Sequence, residues 1–512
     1  MMSADRTEKE SVTTAPDMDS STVGPESEHE QDIETGLDMR ETKTNENDPN
    51  VVDWDGPDDL ENPMNWSDKK KWLNVTILSI MTMVTPLGSS MFAPGVPSIM
   101  VQFHETSSTV ATFLVSVYIL GFAFGPLLIA PLSEVLGRRP LYIYGNILFV
   151  VFTVGAALSN SIGMLMAFRL LMGLSGSVPI TIGSGSIADV MPVEKRGRAM
   201  AAWALGPLLG PCIGPIAGGY LIQAAGWRWV YWLIVIAGGV LIPLSFVFLR
   251  ETFPPVLLER KTQKLRKETN NPHLVSKLAG RVSVKDQFKH AIVRPMKLLL
   301  TTPIVTLMAL YVAITYGILY LLITTFSFVY RQQYGFSEGD SGLTFLPAGL
   351  GMMLGVVFFG QLTDAMVKRN QARGVAHRPE VRIAPALTVP CGVALPVGLF
   401  IYGWAADFAV HWIVPMLGVL VFSAGLMGVM FCVQNYLLDT YPRYAASVTA
   451  AMTVLRSLLG ALLPLGGLEM YNVLGLGWGN SLLAFISLAL VPIPVFFFVF
   501  GERLRSRFNP TL

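Results

Sequence analysis

Twelve apolar stretches, each about 20 residues long and so able to cross a bilayer as a helix, are laid out along the chain. Six lie near 73–96, 110–132, 140–159, 162–188, 199–223 and 227–249, and six near 304–328, 342–364, 383–404, 410–436, 445–468 and 478–500. The polar segment 250–303 separates them. This pattern predicts an all-α membrane protein of two six-helix bundles, 69–249 and 304–500, joined by the linker 250–303 and flanked by terminal segments 1–68 and 501–512.

Composition fits a lipid environment: 52% of residues are hydrophobic and 14% charged, against about a quarter charged in soluble domains. A net charge of +1 conceals a split. Residues 1–68 hold 20 Asp/Glu against 4 Lys/Arg, a net of −16, which leaves +17 for the rest. Rich in Glu, Asp, Ser and Thr and poor in aromatics, they predict a disordered acidic tail. Lys and Arg gather on one side of the twelve-span layout: Lys69 to Lys71, Arg138 and Arg139, the EKRGR loop, the linker, the 365–382 loop, Arg443, and Arg503, Arg505 and Arg507. The other side has Arg228 and Arg331. Both termini and the linker are therefore expected in the cytoplasm, and the sequons at Asn65 and Asn74 are expected to stay unglycosylated. The linker, with 12 Lys/Arg against 4 Asp/Glu, is expected to lie along an anionic inner leaflet. Cys212, Cys391 and Cys432 fall in apolar spans and imply no disulfide framework.

An internal repeat supports the two halves. Leu132-Ser133-Glu134 with Arg138-Arg139 returns 230 residues later as Leu362-Thr363-Asp364 with Lys368-Arg369, each copy after the second span of its half. The same shift maps the first span onto the seventh, so a six-helix unit is used twice in parallel orientation, as in many transporters.

Three polar or irregular features stand inside the spans. Between Gly206 and Gly219 the chain reads GPLLGPCIGPIAGG, with Gly206, Gly210, Gly214 and Gly218 four apart and Pro207, Pro211 and Pro215 interleaved. Glycines at that spacing share one helix face and admit a neighbouring backbone, while each proline frees a carbonyl that a neighbouring helix must satisfy. Arg169 lies in the fourth span, where an arginine either faces protein or water or snorkels toward an interface. Helical spacing lines up Thr82, Thr85, Ser89 and Phe92 in the first span, and Tyr316, Tyr320, Thr324 and Ser327 in the seventh. Such stripes either face a cavity or pack with hydroxyls bonded back to their own helix.

APLSEVLGRR, from Ala130 to Arg139, resembles the loop motif after span two of the major facilitator superfamily, with Glu134 for the usual Asp and Ala130 for the usual Gly. RLLMGLSG, from Arg169, resembles the family's Arg-x-x-Gln-Gly motif, with Met172 at the Gln position. The Gly-Pro segment, including Gly219, is similar to the motif that separates exporters from importers. ENPMNWSDKKKW and RETFPPVLLERK resemble the fungal drug:proton antiporters with twelve spans, with Arg250 replacing a proline. The resemblance covers roughly residues 55–505 and implies the major facilitator fold. It implies a conformational role for Glu134, Gly137, Arg138, Arg139 and Asp364, and a part in proton coupling for Arg169. It also implies a central cavity lined by spans one, four, seven and ten. Candidate lining residues are Thr85, Ser89, Phe92, Met172, Tyr316, Tyr320, Thr324, Met427, Met430, Gln434 and Asn435.

Carboxylates for a proton path are few. Glu134, Asp189, Asp364 and Asp439 sit at cytoplasmic ends, Glu469 at an external one, and Arg456 in span eleven is a candidate partner. The function implied is alternating-access export, from a plasma membrane or else a vacuolar or vesicular one, of small apolar or amphipathic compounds: drugs, fungicides or an endogenous secondary metabolite. The proton gradient replaces any cofactor, since no GxxxxGK[ST] nucleotide signature occurs. A monomer without nucleic-acid or metal partners is expected. A polyamine exporter or proton-coupled importer of the same fold is the alternative, and scarce mid-span carboxylates weigh against polyamines. A transport-dead receptor would carry a specific cytosolic extension. An enzyme would gather its histidines, but these are scattered at 29, 104, 273, 290, 377 and 411.

Overall fold

The computed structural model describes residues 50–278, 284–372 and 378–507. After a short strand β1 (Val51–Val52), the first bundle opens with α1 (Asp68–Ser90), which breaks at the proline-bearing turn Ala93–Gly95 and resumes as α2 (Val96–Gln102). Then come α3 (Ser108–Leu136), α4 (Arg138–Ala157), α5 (Ile162–Gly176) and α6 (Val178–Val190), the last two forming one span interrupted where Pro179 begins a new helix. α7 (Val193–Ala225) and α8 (Arg228–Phe248) complete it. The α3 to α4 corner needs Gly137, whose φ of 90° is closed to most side-chain-bearing residues.

α9 (Pro254–Thr269), β2 (Val275–Ser276) and α10 (Val284–Thr301) make the linker. The second bundle follows with α11 (Pro303–Tyr334), α12 (Glu338–Leu343), α13 (Leu346–Ala372), α14 (Pro385–Asp407), α15 (Ile413–Thr440), α16 (Ala445–Leu462), α17 (Gly467–Leu490) and α18 (Pro492–Arg507).

Among the described residues 11 helical segments are long and apolar enough to cross a membrane, the last of them the 61 residues Ala445–Arg505. As one straight helix that segment would be about 90 Å long, three times a hydrocarbon core. It folds back at Gly475, whose φ and ψ of 73° and 171° break the helix. Tyr471 donates to Asn480 Oδ1 across the reversal at 3.0 Å, and Asp407 Oδ1 accepts from Leu476 N–H at 3.2 Å, capping the returning helix. Twelve crossings result.

Each bundle has its own apolar core. One is built from residues such as Leu114, Tyr118, Met172 and Tyr231, the other from Met308, Phe326, Leu399 and Phe422. Ala93 belongs to the second core, whereas Tyr320 and Ala461 belong to the first. These exchanges mark where the halves interlock, toward the end remote from both chain termini. There Ser98 bonds the Glu338 carboxylate, Ser327 Oγ donates to Ala93 O at 3.3 Å, and Ser116 Oγ donates to Ala461 O at 2.8 Å.

Residues 1–49 lie outside the described residues. The remainder of the expected disordered tail departs from that expectation, because residues 50–59 are folded onto the linker and the turn Pro63–Asn65 lies against α6. β1 pairs in parallel with β2, Val51 opposite Val275. Lys277 Nζ reaches Asp53 at 2.6 Å, and Lys261 Nζ reaches Asp55 at 2.8 Å and Asp59 at 3.1 Å. Burial alone disfavours the Lys261 ammonium, but hydrogen bonds and charges from Asp55 and Asp59 outweigh it and hold its pKa above the ordinary lysine value. Opposite charge in tail and linker, legible separately in the sequence, is used here for mutual attachment. Lys261→Ala should release this strap, with faster hydrogen exchange at Val52 to Asp59 and a change in global stability below about 1 kcal/mol. Unchanged protection would mean that the short sheet alone holds it.

Candidate functional site

α7 is held between the two bundles by two different faces. Its glycine face lies on α1: a Cβ added to Gly206 would fall 2.9 Å from Met83 N, one on Gly210 2.6 Å from Pro86, and one on Gly214 2.7 Å from Ser90 Oγ. At Gly218 the Met91 carbonyl occupies the same space. These contacts show why four-residue glycine spacing is needed here: α1 touches α7 backbone to backbone over three turns. The other face meets the opposite bundle, with Gly219 against the Glu338 carbonyl, the Pro215 carbonyl against Gly342, and Cys212 against Gly349. Pro211 lies within this helix, bracketed by the two contact faces. Trp203 Nε1 donates to Thr82 Oγ1 at 2.9 Å, and Thr82 donates onward to Leu78 O at 2.7 Å.

Arg169 is fully buried, so it does not snorkel. Its guanidinium makes five hydrogen bonds: Nε to Leu114 O at 2.7 Å, Nη2 to Ser89 O at 2.9 Å and Val115 O at 3.3 Å, and Nη1 to Gly88 O and the Tyr231 hydroxyl, both at 3.4 Å. Phe92 lies under the cation, 3.6 Å from ring centroid to Cζ. Gly88 and Ser89 end α1, where helix carbonyls lose their partners. Arg169 thus ties α1, α3 and α8 together, and no carboxylate is among its partners in the described residues. Ser89, Phe92 and Met172, candidate cavity residues, are buried inside the first bundle around this cation. Thr85 is buried too, its carbonyl accepting from the Tyr118 hydroxyl at 2.8 Å.

At the end that carries the termini, Arg138 and Asp189 pair at 3.3 Å. Arg138 Nη1 also donates to Ser133 Oγ at 2.6 Å. Below them the Glu251 carboxylate accepts from the backbone N–H groups of Arg138 at 2.8 Å and Arg139 at 3.2 Å, capping α4, and from those of Thr252 and Phe253, both at 3.1 Å, ahead of α9. Arg139 Nη2 donates to Phe246 O at 2.9 Å. Glu134 makes no hydrogen bond or ion pair among the described residues. In this state every partner of Arg138 named here belongs to the first bundle or the start of the linker. The reason is that the bundles meet at the opposite end.

The second bundle repeats the pair: Arg382 Nε meets Asp439 Oδ2 at 3.0 Å, and Arg505 meets Glu380 at 3.3 Å. Arg382 and Glu251 are absent from the candidates read off the sequence. A signal for Arg382 existed: Asp189-Val-Met-Pro192 and Asp439-Thr-Tyr-Pro442 are equivalent, and each needs a cation opposite its Asp. Asp364 lies outside the described side chains.

Arg456 pairs with neither Asp189 nor Asp439. It stands about halfway along the second bundle, its Cζ 4.8 Å from the centroid of Tyr316 and its Nη1 3.6 Å from Met430 Sδ. The Tyr316 and Tyr320 rings are 5.0 Å apart. Tyr316, Met427, Met430, Gln434 and Asn435 are half-buried, as a cavity lining requires, while Thr324 is buried and bonds back to Leu321 O at 2.9 Å. Three spans, the seventh, tenth and eleventh, therefore bring their candidates together. The first and fourth turn theirs inward.

The family model of the Major Facilitator Superfamily matches residues 78–464. Among curated proteins, the "Efflux pump radE" of Floropilus chiversii is 51% identical over 466 residues, covering 91% of this chain and 86% of that protein. The "MFS-type transporter penM" of Penicillium rubens is 50% identical, covering 90% of each. Among solved structures, the xylose transporter XylE of E. coli, in a partially occluded inward-open conformation, superposes with a TM-score of 0.58 at 15% identity over 86% of this chain and 98% of that one. A bacterial homologue of the human lysosomal transporter Spinster, inward-facing and unoccupied, gives 0.57 at 16%, covering 87% and 98%. The relatives are named as transporters and pumps, not as enzymes.

Proposed function

The chain belongs to the major facilitator superfamily of transporters, and on that premise we propose that it exports small apolar or amphipathic compounds in exchange for protons. The observation carrying this reading is α7: its glycine face binds α1 and its other face closes on α12 and α13. One helix thereby couples packing in the first bundle to closure between the bundles. With both termini placed in the cytoplasm, the end where the bundles interlock faces outward, and the cargo enters from the cytoplasmic side between the two bundles. The ion pairs of Arg138 with Asp189 and Arg382 with Asp439 are then internal to each half and free to exchange partners when the cytoplasmic end closes. The plasma membrane is the proposed site, the monomer the working unit, and the proton gradient the energy source. The similarity to a named efflux pump supports the direction. A polycationic cargo is disfavoured by the cation Arg456 at the middle of the second bundle.

In proteoliposomes holding the purified chain, an imposed pH gradient should drive uptake of hydrophobic dyes and antifungals into inside-out vesicles, and collapse of the gradient should abolish it. Intact protein that moves no compound in a broad panel, or that moves one in the direction of the proton, would overturn the export reading in favour of import or of another cargo.

A further inference from the structure

Arg456 is a half-buried cation with no anion among the described residues. Its Nε is sealed from solvent with no acceptor, Nη1 reaches only the weak acceptor Met430 Sδ, and its plane is met by the Tyr316 ring. Elsewhere in the described interior cations are answered by oxygen, Arg169 by four carbonyls and Arg138 by Asp189. A charged group placed in a membrane interior without a partner is costly and marks a binding function. Here the surroundings state what would be bound. On one side stand the two tyrosines of α11, 5.0 Å apart, and on another the thioether. Gly460, one turn above Arg456 on α16, lets Tyr316 pack close to the helix: an added Cβ would fall 3.2 Å from its ring and 3.6 Å from Ile119 of the first bundle.

We propose that Arg456, Tyr316, Tyr320 and Met430 form a cargo site for an aromatic compound bearing one anionic oxygen, a carboxylate or phenolate. The Nη end of the guanidinium supplies a charge-assisted donor to that oxygen, and the rings and sulfur hold the aromatic body. All four residues belong to the second bundle, and Ile119 of the first lies beside them at Gly460, so rocking of the bundles changes the wall that the first bundle presents to the site. The inference rests on the transport reading and adds the charge of the cargo to it.

Pyrenebutyrate and its methyl ester, matched in shape and differing in charge, test it by tryptophan-to-pyrene energy transfer on full-length protein in nanodiscs. The wild type should bind the acid at least about tenfold more tightly than the ester, the effect of one charge-assisted hydrogen bond or more. Arg456→Gln should bring the two to parity while still binding the ester, and Arg456→Lys should restore part of the preference. Equal binding of acid and ester by the wild type, or an undiminished preference in a folded Arg456→Gln protein, overturns the proposal. The transport reading fails separately, through proteoliposomes in which neither probe moves under a pH gradient.

Discussion

Arg169→Ala should melt roughly 5–10 °C below the wild type in detergent, or be lost from the membrane fraction. Five hydrogen bonds disappear together, leaving the carbonyls of Gly88, Ser89, Leu114 and Val115 to find water in a bundle core. At about 1 kcal/mol for each of the five, the loss approaches about 5 kcal/mol before the contact with Phe92 is counted. Arg169→Lys keeps the charge, but a single ammonium cannot serve four oxygens on α1 and α3, so its melting point should fall between the two. The measurement is thermal unfolding beside pH-driven export. A protein with wild-type melting that has lost only its dependence on the proton gradient would assign Arg169 to coupling, the role implied by family resemblance, and remove it from the architecture.

The contrast shows what could be read from the chain and what could not. Span count and the two halves follow from apolar length and from the repeat of Glu134-x-x-x-Arg138 in Asp364-x-x-x-Lys368, because membrane crossing is a property of local sequence. The reversal at Gly475 falls between the last two apolar stretches for the same reason. Facing is a tertiary property. Thr85, Ser89 and Phe92 share a helical stripe in the sequence, but only the break after Ser90 and the arrival of Arg169 beneath Phe92 turn that stripe toward its own bundle. On α11 the same spacing does meet the opposite half, Tyr320 belonging to the first bundle's apolar core and Tyr316 packing against it. Glu251 illustrates a second limit: it caps α4 from more than a hundred residues away, and no periodicity points to it. The strap at residues 50–59 was hidden because low hydrophobicity says nothing about a basic surface waiting 200 residues later.

Leucine at Gly218 and at Gly219 should produce two different failures from adjacent positions. Gly218 lies on the Met91 carbonyl within the first bundle in whatever state the transporter occupies, so Gly218→Leu overpacks α7 on α1 and lowers stability by about 1–3 kcal/mol or more. Gly219 meets the Glu338 carbonyl of the other bundle, a contact that exists when the far end is closed. Gly219→Leu therefore leaves the folded bundles intact and penalises that one state by a similar energy, roughly 5- to 150-fold in its population. A short bis-maleimide crosslink between Cys introduced at Ser98 and Glu338, which are bonded in this state, reports the closed far end once Cys212, Cys391 and Cys432 are replaced. It should form readily in the otherwise unaltered protein and in Gly218→Leu that remains folded, and drop at least fivefold in Gly219→Leu. Export should fall with it, while melting stays near the parent value. A crosslink that forms equally in Gly219→Leu, with full export, would detach α7 from closure and leave its glycines with helix packing alone.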